Sequence, residues 1–490
     1  MAMAFFFAIT ARILFHYHTG FVIDDAFITF RYAENIANGH GFVYNPGERV
    51  LGTTTPLFTL ILSLFATAGI SVYKASLAVS LLCSGFTAII VLRLAQSLRF
   101  TLWYWVPVLL YALFPRSLSM DTGGMETALF TLLVTSAIYF HHRGQHFYAM
   151  AAATLASVTR PEGLWLLGLL FIWWAAREPR ALGRLIVIPI TLIGPWVLFS
   201  WHYFGSPVPN SVTAKLALYS HYGTEGPLAN ISFLLGLHNP FGWAMLILAV
   251  PGTWWLLNKQ NFGRLAVVWI MGMIGFYTFN QSHIFLWYIV PIYPVFLILA
   301  GASLPWMSER MRWSRNRTEV ASRAALVILA VVLLAGNVTP VRYYSQYQKL
   351  LEQVHQSIGY YLKAHADPGD TVAAEDIGYM GYFSAMRLID RDGLISPEVV
   401  PYNRKGDYYG VIRDFKPEWV VAAMGSATSG FVDSTAFLND YQQQKAFTYP
   451  TGIDLRVYRR VTGTDEAAKQ PVTEQGIDID RGLHKGLRSQ

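Results

Sequence analysis

The chain reads as an α-helical polytopic membrane protein with a small α/β domain at its carboxy-terminal end. Three observations predict this. Charged residues make up 14% of the 490 residues, against about 25% in a soluble domain, and the deficit is concentrated in repeated apolar runs. Basic residues recur in short clusters between those runs, as cytoplasmic loops do. From about residue 341 the composition turns charged and poorly apolar for about 150 residues, enough for a domain of its own.

The same composition excludes other classes. A formal charge of +7 points to nucleic acid only where the basic residues form one patch. Here they are scattered, so no nucleic-acid partner is expected. The single cysteine, Cys83, lies in an apolar run with no partner in the chain, and a small packing role is expected of it. No Walker or Rossmann glycine motif is present, so nothing points to ATP or a nucleotide-sugar.

A spanning helix needs about 20 mostly apolar residues. Runs near 2–19, 73–96, 100–115, 126–141, 146–159, 163–177, 185–204, 241–257, 265–280, 284–304 and 323–340 give about eleven spans. The first lacks the basic leader of a cleavable signal and reads as an uncleaved helix, with Arg12 snorkelling from it. The run 57–69 covers only about 20 Å as a helix, short of a hydrocarbon core of about 30 Å. It is expected to lie at the outer interface. With that assignment Arg93 and Arg99, and the clusters at 141–143, 177–184, 259–264 and 310–323, all fall on one side. The positive-inside rule makes that side, and the amino terminus, cytoplasmic.

The expected division is a membrane module over 1–340, an outer domain over 341–462 and a polar, disordered tail over 463–490. In the outer domain, 344–366 reads as a helix and 371–374, 387–390, 419–422 and 455–459 as strands.

The polar stretch 20–56 follows the first span and carries the adjacent Asp24 and Asp25, then Arg31, Glu34, His40, Glu48 and Arg49. Carboxylates at the edge of an apolar segment are costly unless water, a cation or a partner compensates them. Such a pair suits a general base acting on a hydroxyl or a divalent cation; the structural alternative is a helix cap. On the same outer side, Asp121 and Glu126 flank GGM at the start of a span, where a cap is an equal alternative. Arg160 and Glu162 occupy the short turn TRPEG. Arginine suits a phosphate, although a plain Arg–Glu pair closing the turn explains them slightly better. Asn210 and Lys215 lie in PVPNSVTAK and suit a phosphate or sugar hydroxyls. His283, in NQSHIFLWY, is weaker, and an aromatic belt accounts for Trp287 and Tyr288.

DDAFITFRYAENIANGHGFVYNPGERVLGTTTPLFTL resembles the first outer loop of bacterial GT-C glycosyltransferases. GGMET, TRPEG, PVPNSVTAK and EDIGYMGYFSAMRLIDRDGL resemble the same group in the same order. Within that group the stretches are similar to those of mycobacterial terminal arabinofuranosyltransferases and the related flagellar-motor-control membrane proteins. The resemblance implies transfer, with inversion, of a sugar from a polyprenyl-phosphate donor. The acceptor would be a hydroxyl of an envelope glycan, lipid or protein outside the bacterial cytoplasmic membrane, and arabinofuranosyl or another pentosyl transfer is one form of it. It makes Asp24 or Asp25 the base, with Asp24 favoured. Arg160, Lys215 and His283 become donor-phosphate ligands, with Arg31, Asn210, Asp121 and Glu126 around the substrate. A divalent cation, Mg or Mn, at Asp24, Asp25 and Glu126 stays open, since GT-C enzymes differ on this. The chain is shorter than the arabinofuranosyltransferases, which leaves its sugar open. The rival readings are a non-catalytic membrane scaffold and a lipid-linked-sugar flippase. A flippase predicts acids spread through the spans and two repeated halves.

Overall fold

The computed structural model describes residues 1–219, 226–237, 240–259, 261–279 and 284–461. All eleven expected runs are largely helical in it. Six helices among the described residues are long and apolar enough to cross a membrane: Val72–Ser97, Leu182–Phe204, Pro240–Asn258, Phe262–Phe279, Leu286–Arg310 and Arg315–His365. Two bent pairs raise the number to eight if each counts as one span. The other expected spans, Thr101–Leu113, His146–Thr159 and Gly163–Arg177, are shorter than the span length that the count of eleven assumed.

Four helices open the chain: α1 (Ala2–Thr19), α2 (Asp24–Ala37), α3 (Pro56–Thr67) and α4 (Val72–Ser97). Gly20 ends α1 in the left-handed region, at φ 60°, which a residue without a Cβ adopts at no cost. The chain then turns through 102° into α2. The polar stretch is thus partly helical, with Asp24 and Asp25 in the first turn of α2, where acids offset the helix dipole. The run expected at the interface is α3, 12 residues long.

Arg12 of α1 does not snorkel. It is fully buried and donates from Nε and Nη2 to Asp121 Oδ2 at 2.9 and 2.7 Å. Ser84 donates to the same oxygen at 3.1 Å. An unpaired guanidinium costs too much among apolar helices, so it is held by the carboxylate it can reach.

The last long helix continues for 51 residues, Arg315–His365, into the carboxy-terminal domain. There β1 (Thr371–Ala374), β2 (Arg387–Asp390), β3 (Trp419–Ala423), β4 (Tyr441–Tyr449) and β5 (Ile453–Arg460) form one sheet in the order β2-β1-β3-β5-β4. β1 pairs in parallel with β2 and β3, and β5 pairs antiparallel with β3 and β4. Strands were expected at four of these positions. The fifth, β4, was not, because YQQQKAFTY is a mostly exposed edge strand without buried alternation. A helix, Ile377–Ser384, crosses from β1 to β2. It packs on α2 through Phe27, whose ring lies 4.2 Å from Tyr379 and 5.1 Å from Tyr382.

Candidate active site

The adjacent aspartates sit on a helix, and neighbours on a helix diverge by about 100°. Asp24 therefore shares a face with Phe27, Arg31 and Glu34, at intervals of three and four residues, while Asp25 shares one with Ile28 and Thr29. The two faces meet different surroundings. Asp24 Oδ2 accepts the amide of Gly378 at 3.0 Å and Oδ1 the amide of Tyr379 at 2.8 Å. Asp25, Ile28 and Thr29 line a cavity of about 660 Å³. Among the described residues the Asp25 carboxylate makes no hydrogen bond or ion pair.

Packing on a short turn holds the start of α2. Ile23 N–H donates to Gly123 O at 2.9 Å. Gly124 has φ +86°, and a Cβ there would stand 3.0 Å from Ala26 and 3.1 Å from Phe30. GGM thus lets the first turn of α2 approach the chain just before the helix Thr127–His142. It brings Glu126 to the wall of the cavity that Asp25 lines.

Glu126 is 1% exposed, and its Oε1 accepts Arg160 Nη1 at 2.6 Å. Arg160 also donates from Nη2 to Glu162 Oε1 at 2.8 Å and from Nε to Oε2 at 3.3 Å. Tyr277 donates its hydroxyl to Glu162. Every guanidinium nitrogen donates to a carboxylate, and among the described residues Glu126 Oε2 is buried without a hydrogen-bond donor. The pair within TRPEG exists as the plain structural alternative expects, but Glu126 joins it. The arginine also lies over the Tyr288 ring, 5.0 Å from its centre, and Tyr288 stacks on Tyr277 at 5.0 Å.

Lys215 lines the same cavity from helix Asn210–Tyr219. Its Nζ stands 3.4 Å from Tyr288 Oη and 5.4 Å from the centre of the Phe285 ring. Thr53, Thr54, Thr55 and Ser211 add hydroxyls to the wall, and Trp165, Leu216, Met273 and Phe276 add apolar surface. Among the described residues the charged groups on the wall are three carboxylates (Asp25, Glu126, Glu162) and two cations (Arg160, Lys215).

Three of the substrate-binding expectations fall elsewhere. Asp121 is not on the cavity wall and is occupied by Arg12. Arg31 donates to Tyr44 O, to Gly381 O at 2.7 Å and to Met386 O at 2.6 Å, joining α2 to the carboxy-terminal domain. Asn210 does the same for its helix, donating to Gly393 O at 2.7 Å and Leu394 O at 3.0 Å. His283 lies outside the described residues.

A cation held by Asp24, Asp25 and Glu126 does not fit this arrangement. Both oxygens of Asp24 accept amides and one of Glu126 accepts Arg160. No three His, Cys, Asp or Glu converge as metal ligands among the described residues.

The Asp24 carboxyl is raised to about 8, by burial first and then by the charge of Asp376, with the amides of Tyr379 and Gly378 acting the other way. In the neighbouring domain Asp390 is raised to about 7, again by burial, against the amides of Ile395 and Asp392.

Sequence reasoning missed Tyr277, Trp165, Leu394 and the threonine run as site residues. Tyr277 and Trp165 sit inside apolar runs and carry no local signal. Tyr288 was assigned to an aromatic belt, yet it borders the cavity. A run of three threonines was the one visible hint.

Comparison with known proteins bears on this geometry. Residues 339–468 match a family model described as a domain of unknown function (DUF8728). No curated protein matches the chain. Two solved structures of ArnT from Cupriavidus metallidurans share its fold. The apo form aligns at TM-score 0.60 and 14% identity, covering 92% of this chain and 97% of ArnT. The form bound to undecaprenyl phosphate aligns at TM-score 0.56 and 13% identity, covering 92% and 96%. The aligned 92% of this chain takes in both the helical part and the carboxy-terminal domain, so the likeness is one of overall fold.

Proposed function

We propose that this protein is a glycosyltransferase of the bacterial inner membrane that moves a sugar from a polyprenyl-phosphate carrier to an acceptor hydroxyl. The observation that carries the reading is the composition of the cavity wall: a carboxylate without a hydrogen-bond or ion-pair partner among the described residues, a lysine and a broad apolar surface, among helices able to cross a membrane. A lipid-phosphate donor needs this combination, because its tail stays in the bilayer and its head requires a cation at the interface. The ArnT-like fold, and the undecaprenyl phosphate bound by one ArnT structure, support the same donor class.

In this reading Asp25 is the general base, and Asp24, favoured from the sequence, is not. Asp25 takes the proton of the acceptor hydroxyl as that oxygen attacks the anomeric carbon. The bond from that carbon to the phosphate oxygen breaks, and polyprenyl phosphate leaves with the bonding pair. A single displacement of this kind inverts the anomeric configuration. Lys215 stabilises the departing phosphate. Arg160 holds Glu126 and Glu162 in place, each of its three nitrogens donating to one of those carboxylates. No step is routed through a cation.

The test is transfer by purified protein in liposomes from a panel of radiolabelled polyprenyl-phosphate hexoses and pentoses, including arabinofuranose. Wild type should use at least one donor, and Asp25→Asn should lose that activity by about 100- to 10,000-fold. Donor consumed equally by both proteins overturns the role of Asp25. Labelled lipid that crosses the bilayer with no product formed would favour a flippase.

A further inference from the structure

We infer that the carboxy-terminal domain is a working part of this site, with the amides of Gly378 and Tyr379 as the positioning groups that aim Asp25 into the cavity. The inference rests on the reading of Asp25 given above and assigns a task to a domain that otherwise has none.

One helix of the domain, Ile377–Ser384, is gripped at both ends by one face of α2. Asp24 accepts the first amides of that helix, from Gly378 and Tyr379. Seven residues further along α2, two turns on the same face, Arg31 donates to Gly381 O and, just past the helix, to Met386 O. Asp24 thus accepts from amides at the start of the helix and Arg31 donates to carbonyls toward and just past its end, the groups that a helix leaves unpaired. The contacts run in the same order along both helices, so a roll of α2 would break both grips. Rolling α2 is the motion that would turn Asp25 away from the cavity.

Contact at the Asp24 end is close. A Cβ on Gly378 would stand 2.0 Å from the Asp24 carbonyl oxygen and 2.5 Å from its Oδ2. Only glycine lets the helix start approach the backbone of the residue that precedes Asp25. A second part of the domain supports the same conclusion independently. Leu394, in the loop after β2, lines the cavity beside Asp25, and Asn210 holds the carbonyls of Gly393 and Leu394. The domain thus supplies both a piece of the wall and the restraint on the acid helix.

The experiment compares Gly378→Ala and Arg31→Gln in the full chain. Two readouts are taken beside thermal stability: kcat and donor KM for transfer, and the rate at which a small maleimide labels position 25. The label is placed by Asp25→Cys in a Cys83→Ser background, which is clean because Cys83 is the single cysteine and is buried. Gly378→Ala should lower kcat about 10- to 100-fold with donor KM within about twofold. It should also change labelling at position 25 severalfold, more than Arg31→Gln does at equal thermal stability. If the domain is only an anchor, kcat and labelling will follow thermal stability alike in both variants, which overturns the inference. Full transfer by Asp25→Asn would remove the base reading alone, and labelling would still decide the positioning claim.

Discussion

Arg12 and Arg160 are both buried among helices, and both meet carboxylates, but the two clusters are built differently. Arg12 faces one carboxylate, Asp121, whose Oδ2 also accepts Ser84 and, at 3.4 Å, Tyr111. One cation balances one anion, and neither residue borders the cavity. Arg160 faces two carboxylates, Glu126 and Glu162, and all three border the cavity together with Asp25. The first cluster can serve as a charge-balanced fastener between α1 and the chain around Asp121. The second leaves an excess of negative charge beside a cavity, which is costly in a structure used for packing alone. Burial and pairing are common to both, so neither identifies a site. Charge balance and the adjoining space do.

The largest expected effect separates acids in the two places. Asp25→Asn should abolish transfer, whereas Asp121→Asn should leave kcat per folded molecule within about threefold and act on stability. Unfolding curves and transfer rates on the same preparations check both. If Asp121→Asn silences a fully folded protein, the contrast between the clusters fails.

Next come the arginines. Removing one partner of a buried ion pair costs about 3–5 kcal/mol, so Arg12→Ala and Arg160→Ala should each destabilise strongly in denaturant titrations. Replacing a whole pair by apolar residues is often neutral. Arg12→Met with Asp121→Leu should therefore recover both stability and transfer. Arg160→Met with Glu126→Leu and Glu162→Leu should recover stability without transfer, and recovery of both would make the second cluster a fastener like the first.

A smaller effect concerns the lysine. Lys215→Ala should lower kcat/KM for the donor by about 10- to 100-fold, the worth of one charge-assisted hydrogen bond, with kcat falling as well as KM rising because the lysine meets the phosphate both bound and departing. An unaltered kcat/KM would put the phosphate elsewhere.

The smallest effect is in pH dependence. Asp24 is raised to about 8 and Asp390 to about 7, so between the unfolded carboxyl range and these values these two groups hold more protons in the folded chain than in the unfolded one. Stability then falls as pH rises. Melting temperatures should decline from about pH 5 to about pH 8, and Asp24→Asn should flatten part of the slope. A melting temperature that rises over this range contradicts the sign.

Much of the helical organisation was legible because apolar runs announce themselves, and four of the five strands were legible because they are buried. β4 was hidden by its exposed glutamines. The site was legible as a set of motifs but not as a geometry. Reading 20–56 as a loop concealed the divergence of Asp24 and Asp25, which follows once both lie in one helical turn. Glu162 stands two residues from Arg160 and the pair was visible. Glu126 is 34 residues away, and its membership depends on how the GGM turn brings two segments together. Nothing local distinguishes Asp121 from Glu126, five residues apart, although one fastens α1 and the other borders the cavity.

The most direct test of the central claim is a cryo-electron microscopy map of the full chain in lipid with undecaprenyl phosphate added. The account predicts density for the phosphate within hydrogen-bonding distance of Lys215, the first isoprene units against Trp165 and Phe276, and the Asp25 carboxylate facing the space above the phosphate. Lipid phosphate bound outside this cavity, with the Asp25 side of α2 turned away from it, would contradict the account.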